Sequence, residues 1–302
     1  MPTRSDPPGQ AARVLKRIWP AVAVGDVEAV HRARVATRRL REALRASGAE
    51  RRSARRLRKE LRRLTRALGP VRELDVSLGL VARLSHEEAA SDTALELIRV
   101  HLMEVRARCR ARMLKRVDDT DAAGIAARWE ALAGAARQDG RASSPRAGAP
   151  EAWELRRCLA RRAAQLRLSL EEAGALYTPE PLHAVRIAVK KLRYSVELAR
   201  SARIAGATAR ARRLKTLQDL LGELHDWQVL EEHVGDVQSS LPVQDGRMGE
   251  LTSLLSSLED RCRALHGAFL ARRPDLIALC EALESEDDSG LSPTRTRDAS
   301  HG

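Results

Sequence analysis

VHRARVATRRLREAL, residues 30–44, recurs 152 positions later as LHAVRIAVKKLRYSV, residues 182–196. His31 matches His183, Arg34 matches Arg186, Arg38-Arg39 match Lys190-Lys191, and Arg41 matches Arg193. A second pair follows at an offset of 153, where LGPVRELDV (68–76) faces LGELHDWQV (221–229). A repeat in phase over this length predicts two similar halves, each burying a core with the same arrangement of elements.

The pattern within the repeat is helical. Winding residues 30–45 at about 100° per residue puts His31, Arg34, Arg38, Arg41 and Arg45 within an arc of roughly 80°. Val30, Ala33, Thr37, Leu40 and Leu44 fill the adjacent arc. The second copy sorts the same way: His183, Arg186, Lys190 and Arg193 share one stripe, beside Leu182, Val185, Val189, Leu192 and Val196. Each helix therefore carries a cationic ridge flanking its core seam. Solvated helix faces normally mix signs to gain i,i+4 pairs, and like charges at that spacing repel. An anion lying along the ridge relieves the repulsion; an arginine-rich solvated face is the competing reading.

The rest of the chain also reads as helix, and alanine and leucine, both strong helix formers, dominate. Asp26 is placed to cap a helix that stops near Gly48. A second helix is expected over 51–68, ending at Gly69-Pro70. Further helices are expected over 71–84, 88–117, 122–137, 151–173, 179–203, 206–221, 225–239, 246–271 and 275–284. Thr178-Pro179 supplies an N-cap with proline at the first helical position. Residues 1–10 are expected to be flexible and 11–137 to form the first helical half. A linker over 138–150, a second half over 151–284 and a disordered tail over 285–302 follow. Glu73, Asp75 and Asp226 follow the Leu-Gly turns and are expected to cap helices or hold ridge arginines in place.

The second basic helix adds Lys59, Arg62 and Arg66 in one stripe, opposite Leu57, Leu61, Leu64 and Leu68. Its counterpart supplies Arg212 and Lys215. Arg72 is expected just after a turn, where helix N-terminal amides also favour anions. The formal net charge is +13. Residues 31–72 alone hold 16 basic and 3 acidic side chains, so the excess is concentrated. That concentration points to a polyanion: nucleic acid, an anionic membrane surface or a phosphate polymer. None of the aromatic residues falls within 31–72. Binders of single-stranded nucleic acid stack bases on aromatics, so base readout is disfavoured here, whereas contact with duplex backbone is not. A partner made only of phosphate offers nothing to stack and suits the bidentate fork of arginine.

Several classes are disfavoured. There is no run of about 18–20 apolar residues, no apolar leader segment, and no phosphate-binding or dinucleotide glycine motif. Cys109, Cys158, Cys262 and Cys280 lack CxxC spacing, which predicts reduced thiols in a cytoplasmic protein. His31 and His183 lack further ligands at helical spacing, so no metal or cofactor is expected at them.

HRARVATRRLREAL, LGPVRELDV, LHAVRIAVKKLRYSVELA and LGELHDWQV, in that order, resemble the paired motifs of the CHAD family, the conserved histidine α-helical domain. The resemblance covers roughly residues 11–284. It implies an all-α fold of two pseudo-twofold-related four-helix bundles, with inorganic polyphosphate bound, without catalysis, in a central basic channel. Ligand roles are thereby implied for Arg34, Arg38, Arg41, Arg45, Arg62, Arg186, Lys190, Arg193 and Lys215, with His31 and His183 beside them. Association with polyphosphate granules is a further implication. No ExExK strand pattern precedes the helical region, so a stand-alone member is expected and triphosphatase activity is not implied. Glu197 stands where the first copy has Arg45, and His225 where it has Arg72, which makes the second ridge the weaker one. The competing functions are a backbone-driven nucleic-acid binder and a metal-dependent polyphosphate hydrolase.

Overall fold

A three-residue connection, Val24 to Asp26, joins α1 (Pro7–Ala23) to α2 (Val27–Ala46), and its geometry follows from two residues. Gly25 takes φ +76°, and its N–H donates to Val22 O at 2.9 Å while Asp26 N–H donates to Ala21 O at 3.0 Å. That is the glycine-terminated helix end in which two orphan carbonyls are satisfied. Asp26 then starts α2 as expected: its Oδ1 accepts the Ala29 N–H at 2.7 Å. The remaining helices are α3 (Arg52–His86), α4 (Asp92–Asp118), α5 (Ala122–Gln138), α6 (Ala152–Ala173), α7 (Pro179–Ser201), α8 (Ala207–Ser240), α9 (Met248–Leu270) and α10 (Arg273–Asp288). The structure is a computed structural model that describes residues 7–46, 52–87, 90–138, 152–201, 203–242 and 244–288. Among them there is no strand, so the fold is all-α. The tail beyond 288 and most of the expected linker, 139–150, lie outside the described residues.

Two boundaries differ from expectation. Gly69-Pro70 does not end a helix; α3 runs through it for 35 residues. Leu57, Leu61, Leu64, Leu68, Val71, Leu74, Val81 and Leu84 are buried along one continuous stripe, and Pro70 faces outward. Burial on both sides of the proline outweighs the roughly 3 kcal/mol that an interior proline costs. Likewise α8 continues across Gly222 to Asp226, with Leu214, Leu217, Leu221 and Leu224 buried before that stretch and Trp227, Leu230 and Val234 after it.

The chain forms two compact units, one of residues 1–149 with 226–261, the other of residues 150–225 with 262–302. Helices α8 and α9 therefore each contribute to both. In the first unit, α1 packs on α2 and α5, and α3 on α2 and α4. Leu15, Val22, Val30, Leu40, Leu61, Leu64 and Ile125 fill its core. Trp227 is buried there, with the Arg83 and Arg261 guanidiniums 5.5 and 5.1 Å from its ring centre. In the second unit, α6 packs on α7 and α10. Arg167 ties α6 to α10 through Glu284 at 3.1 Å, and Arg273 reaches Leu170 O at 3.0 Å. No helix among the described residues is long and apolar enough to cross a membrane.

Candidate functional site

On α2 the seam and ridge sort as the periodicity requires. Val30, Ala33, Thr37, Leu40 and Leu44 are buried, while His31, Arg34, Arg38 and Arg41 are half-buried beside them. The Arg45 side chain lies outside the described residues. On α3, Lys59, Arg62 and Arg66 are exposed and Arg72 is half-buried. Helices α2 and α3 meet at the Thr37 and Thr65 hydroxyls, 3.3 Å apart. Each also bonds its own helix, Thr37 to Arg34 O at 3.0 Å and Thr65 to Leu61 O at 2.7 Å.

One close approach brings the two basic helices together. A Cβ added at Gly69 would lie 2.9 Å from Nη1 of Arg34, so the missing side chain is what seats this guanidinium against α3. Nearby, burial holds the His31 imidazole below its ordinary pKa; the charge of Arg72 lowers it further, Glu28 pulls it partly back up, and Arg34 adds the smallest downward push. The strongest charge acting on His31 thus comes from Arg72 on the neighbouring helix. Among the described residues, no carboxylate stands within salt-bridge range of Arg34, Lys59, Arg62, Arg66 or Arg72. Glu60, beside Lys59 in sequence, is instead held by Arg128 of α5 at 2.7 Å.

The second ridge has the same seam and a different electrostatic state. Leu182, Val185, Val189, Leu192 and Val196 are buried. Arg186, Lys190 and Arg193 are half-buried, and His183 is exposed. Arg193 pairs with Glu197, donates Nε–H to Gln218 Oε1 at 2.8 Å, and lies 4.9 Å from the centre of the Tyr194 ring. Lys215 pairs with Asp219 at 2.5 Å. Arg212 is exposed near the start of α8. The His183 and His225 rings are 5.4 Å apart, so the pair His183 and His225 stands where the first copy has His31 and Arg72.

The CHAD domain family model matches residues 9–235. This chain belongs to the CHAD family. Two solved structures are similar in fold. PptA from Streptomyces chartreusis is 17% identical with a TM-score of 0.55, covering 93% of this chain and 96% of that one. The CHAD domain from the plant Ricinus communis is 20% identical with a TM-score of 0.51, covering 93% of this chain and 89% of that one. No curated protein matches the sequence.

Within this CHAD chain some expected roles change. Arg72, Glu73, Asp75 and Asp226 lie inside α3 and α8, not at helix starts, so the acids do not cap these helices and Arg72 does not sit at the N-terminus of its own. Asp75 instead fastens α3 to α4, its Oδ1 accepting from Arg106 Nε at 2.6 Å. Gly69 is the position against the ridge that charge patterning alone does not single out. The Leu-Gly pair kept in both copies was its signal, and the contact with Arg34 is its reason in the first copy. At Gly222 a Cβ would meet no atom within 4 Å, so the second copy lacks that seat.

Proposed function

We propose that this CHAD chain binds inorganic polyphosphate without catalysis, chiefly along the α2 and α3 ridge, with the α7 and α8 ridge as the weaker contributor. The observation that carries the reading is the set of ridge cations left without carboxylate partners among the described residues: Arg34, Lys59, Arg62, Arg66 and Arg72. Such a surface gains most from a ligand that supplies closely spaced negative charge, and arginine forks fit phosphate oxygens in pairs. Membership of a family associated with polyphosphate supports the choice of polymer. The ridge offers no aromatic platform for bases, which separates it from single-strand nucleic-acid binders. Association with polyphosphate granules follows from the same reading.

The test is competition between long-chain polyphosphate and duplex DNA of matched total charge, at low and near-physiological salt. Polyphosphate is expected to stay bound at the higher salt while DNA is released. Equal weakening of both would instead favour the backbone-driven nucleic-acid reading. Changing Arg34, Arg38 and Arg41 together to alanine should abolish polyphosphate binding with helicity by circular dichroism intact. Retained affinity in the folded triple variant overturns the proposal. Phosphate release from the polymer on adding magnesium, manganese or zinc would shift the assignment to a hydrolase.

A further inference from the structure

Away from both ridges, α4 and the second part of α8 bring two histidines together in the first unit. The His101 and His233 rings have centres 5.5 Å apart and planes inclined by 60°. Asp236 stands three residues after His233, on the same face of α8. Each of the three side chains offers one donor atom, and these atoms all lie within 4.8 Å of one another. Nε2 of His101 and Nδ1 of His233 are both buried without a hydrogen-bond partner. Buried imidazole nitrogens normally find a partner, so two orphans in one cluster ask for a missing one.

We propose that His101, His233 and Asp236 bind a single borderline transition-metal dication, of which zinc is the type. Two imidazoles and one carboxylate form the mixed nitrogen and oxygen set that suits zinc, cobalt or nickel, whereas magnesium and calcium take oxygen ligands. Around zinc at about 2.0–2.2 Å, tetrahedral donors are separated by roughly 3.3–3.5 Å. The donor atoms, all within 4.8 Å of one another, draw in by up to roughly 1.4 Å to reach that spacing, and Asp236, exposed at the edge, is the one with room to turn. The orphan nitrogens supply lone pairs from two different helices, so the ion fastens α4 to α8. A water completes the fourth position. The site uses neither ridge histidine and does not depend on the polyphosphate reading.

The experiment uses the full chain, stripped with chelator and free of polyphosphate, in a buffer without phosphate. Zinc chloride is titrated calorimetrically, and cobalt(II) is added as an optical probe. One zinc per chain is expected, with the intense visible bands of four-coordinate cobalt and a rise in melting temperature of several degrees when zinc is about a hundredfold above its Kd. His101→Ala and His233→Ala should each weaken binding at least tenfold. Asp236→Asn, at an exposed position that leaves the core untouched, should do so with the fold intact. The proposal is overturned if no stoichiometric binding occurs, if affinity is unchanged in these variants, or if it is lost instead in a His31→Ala, His183→Ala double variant.

Discussion

Arg34 rests against the bare backbone of Gly69, and this single contact separates binding from stability. In Gly69→Ala the new methyl group would stand 2.9 Å from Nη1, and the guanidinium, being the free end of a long side chain, would swing away. Polyphosphate affinity is expected to fall several-fold with little loss of stability. Gly222→Ala, where nothing stands within 4 Å, should gain up to about 1 kcal/mol from helix propensity and leave affinity unchanged. Chemical denaturation and a binding titration on both variants check this. His31 makes a second residue-level prediction. Its folded pKa lies below the ordinary 6.5, chiefly through burial and then through Arg72. Between the folded and unfolded pKa values the unfolded chain holds more protons, so the residue's contribution to stability is complete above about pH 6.5 and is lost as pH falls through the folded pKa. A polyanion on the ridge favours the imidazolium, so binding should take up protons and strengthen as pH drops. Calorimetry in two buffers of different ionisation enthalpy measures the uptake, and His31→Ala should diminish it.

At the scale of the element, α2 and α7 were readable because one helix's periodicity fixes which of its own residues face the core. Val30 to Leu44 and Leu182 to Val196 needed no knowledge of a partner. The ends of α3 and α8 were not readable that way. Gly69-Pro70 carries every local sign of a stop, but Leu68 and Val71 on either side are buried in the same unit, and tertiary burial decides. Once α3 is continuous, the acids after Gly69 lose their capping role and become side-face groups, which is how Asp75 comes to face Arg106. The His101 and His233 pairing was beyond reach for the same reason, since it belongs to two helices distant in sequence. Pro70 sits outward in a helix interior, so Pro70→Ala restores a backbone donor at no cost in packing. It is expected to raise stability by about 1–3 kcal/mol, read from the urea midpoint at constant m-value.

For the molecule as a whole, similar sequences have been left in different electrostatic states. Arg193 and Lys215 are satisfied by Glu197, Gln218 and Asp219, whereas Arg62 and its neighbours on α3 have no carboxylate in range among the described residues. Arg62→Ala should therefore weaken polyphosphate binding several-fold more than Lys215→Ala, although both remove one exposed cation. Equal losses in parallel titrations at one salt concentration would mean that total charge alone governs affinity. The division into units adds a consequence for synthesis. The first unit needs residues 226–261, which leave the ribosome long after the arginine-rich stretch 31–72. At about 5–20 residues per second, that nascent stretch waits roughly 10–40 seconds for its last partners. It does so beside ribosomal RNA, a polyanion of the kind its charge attracts.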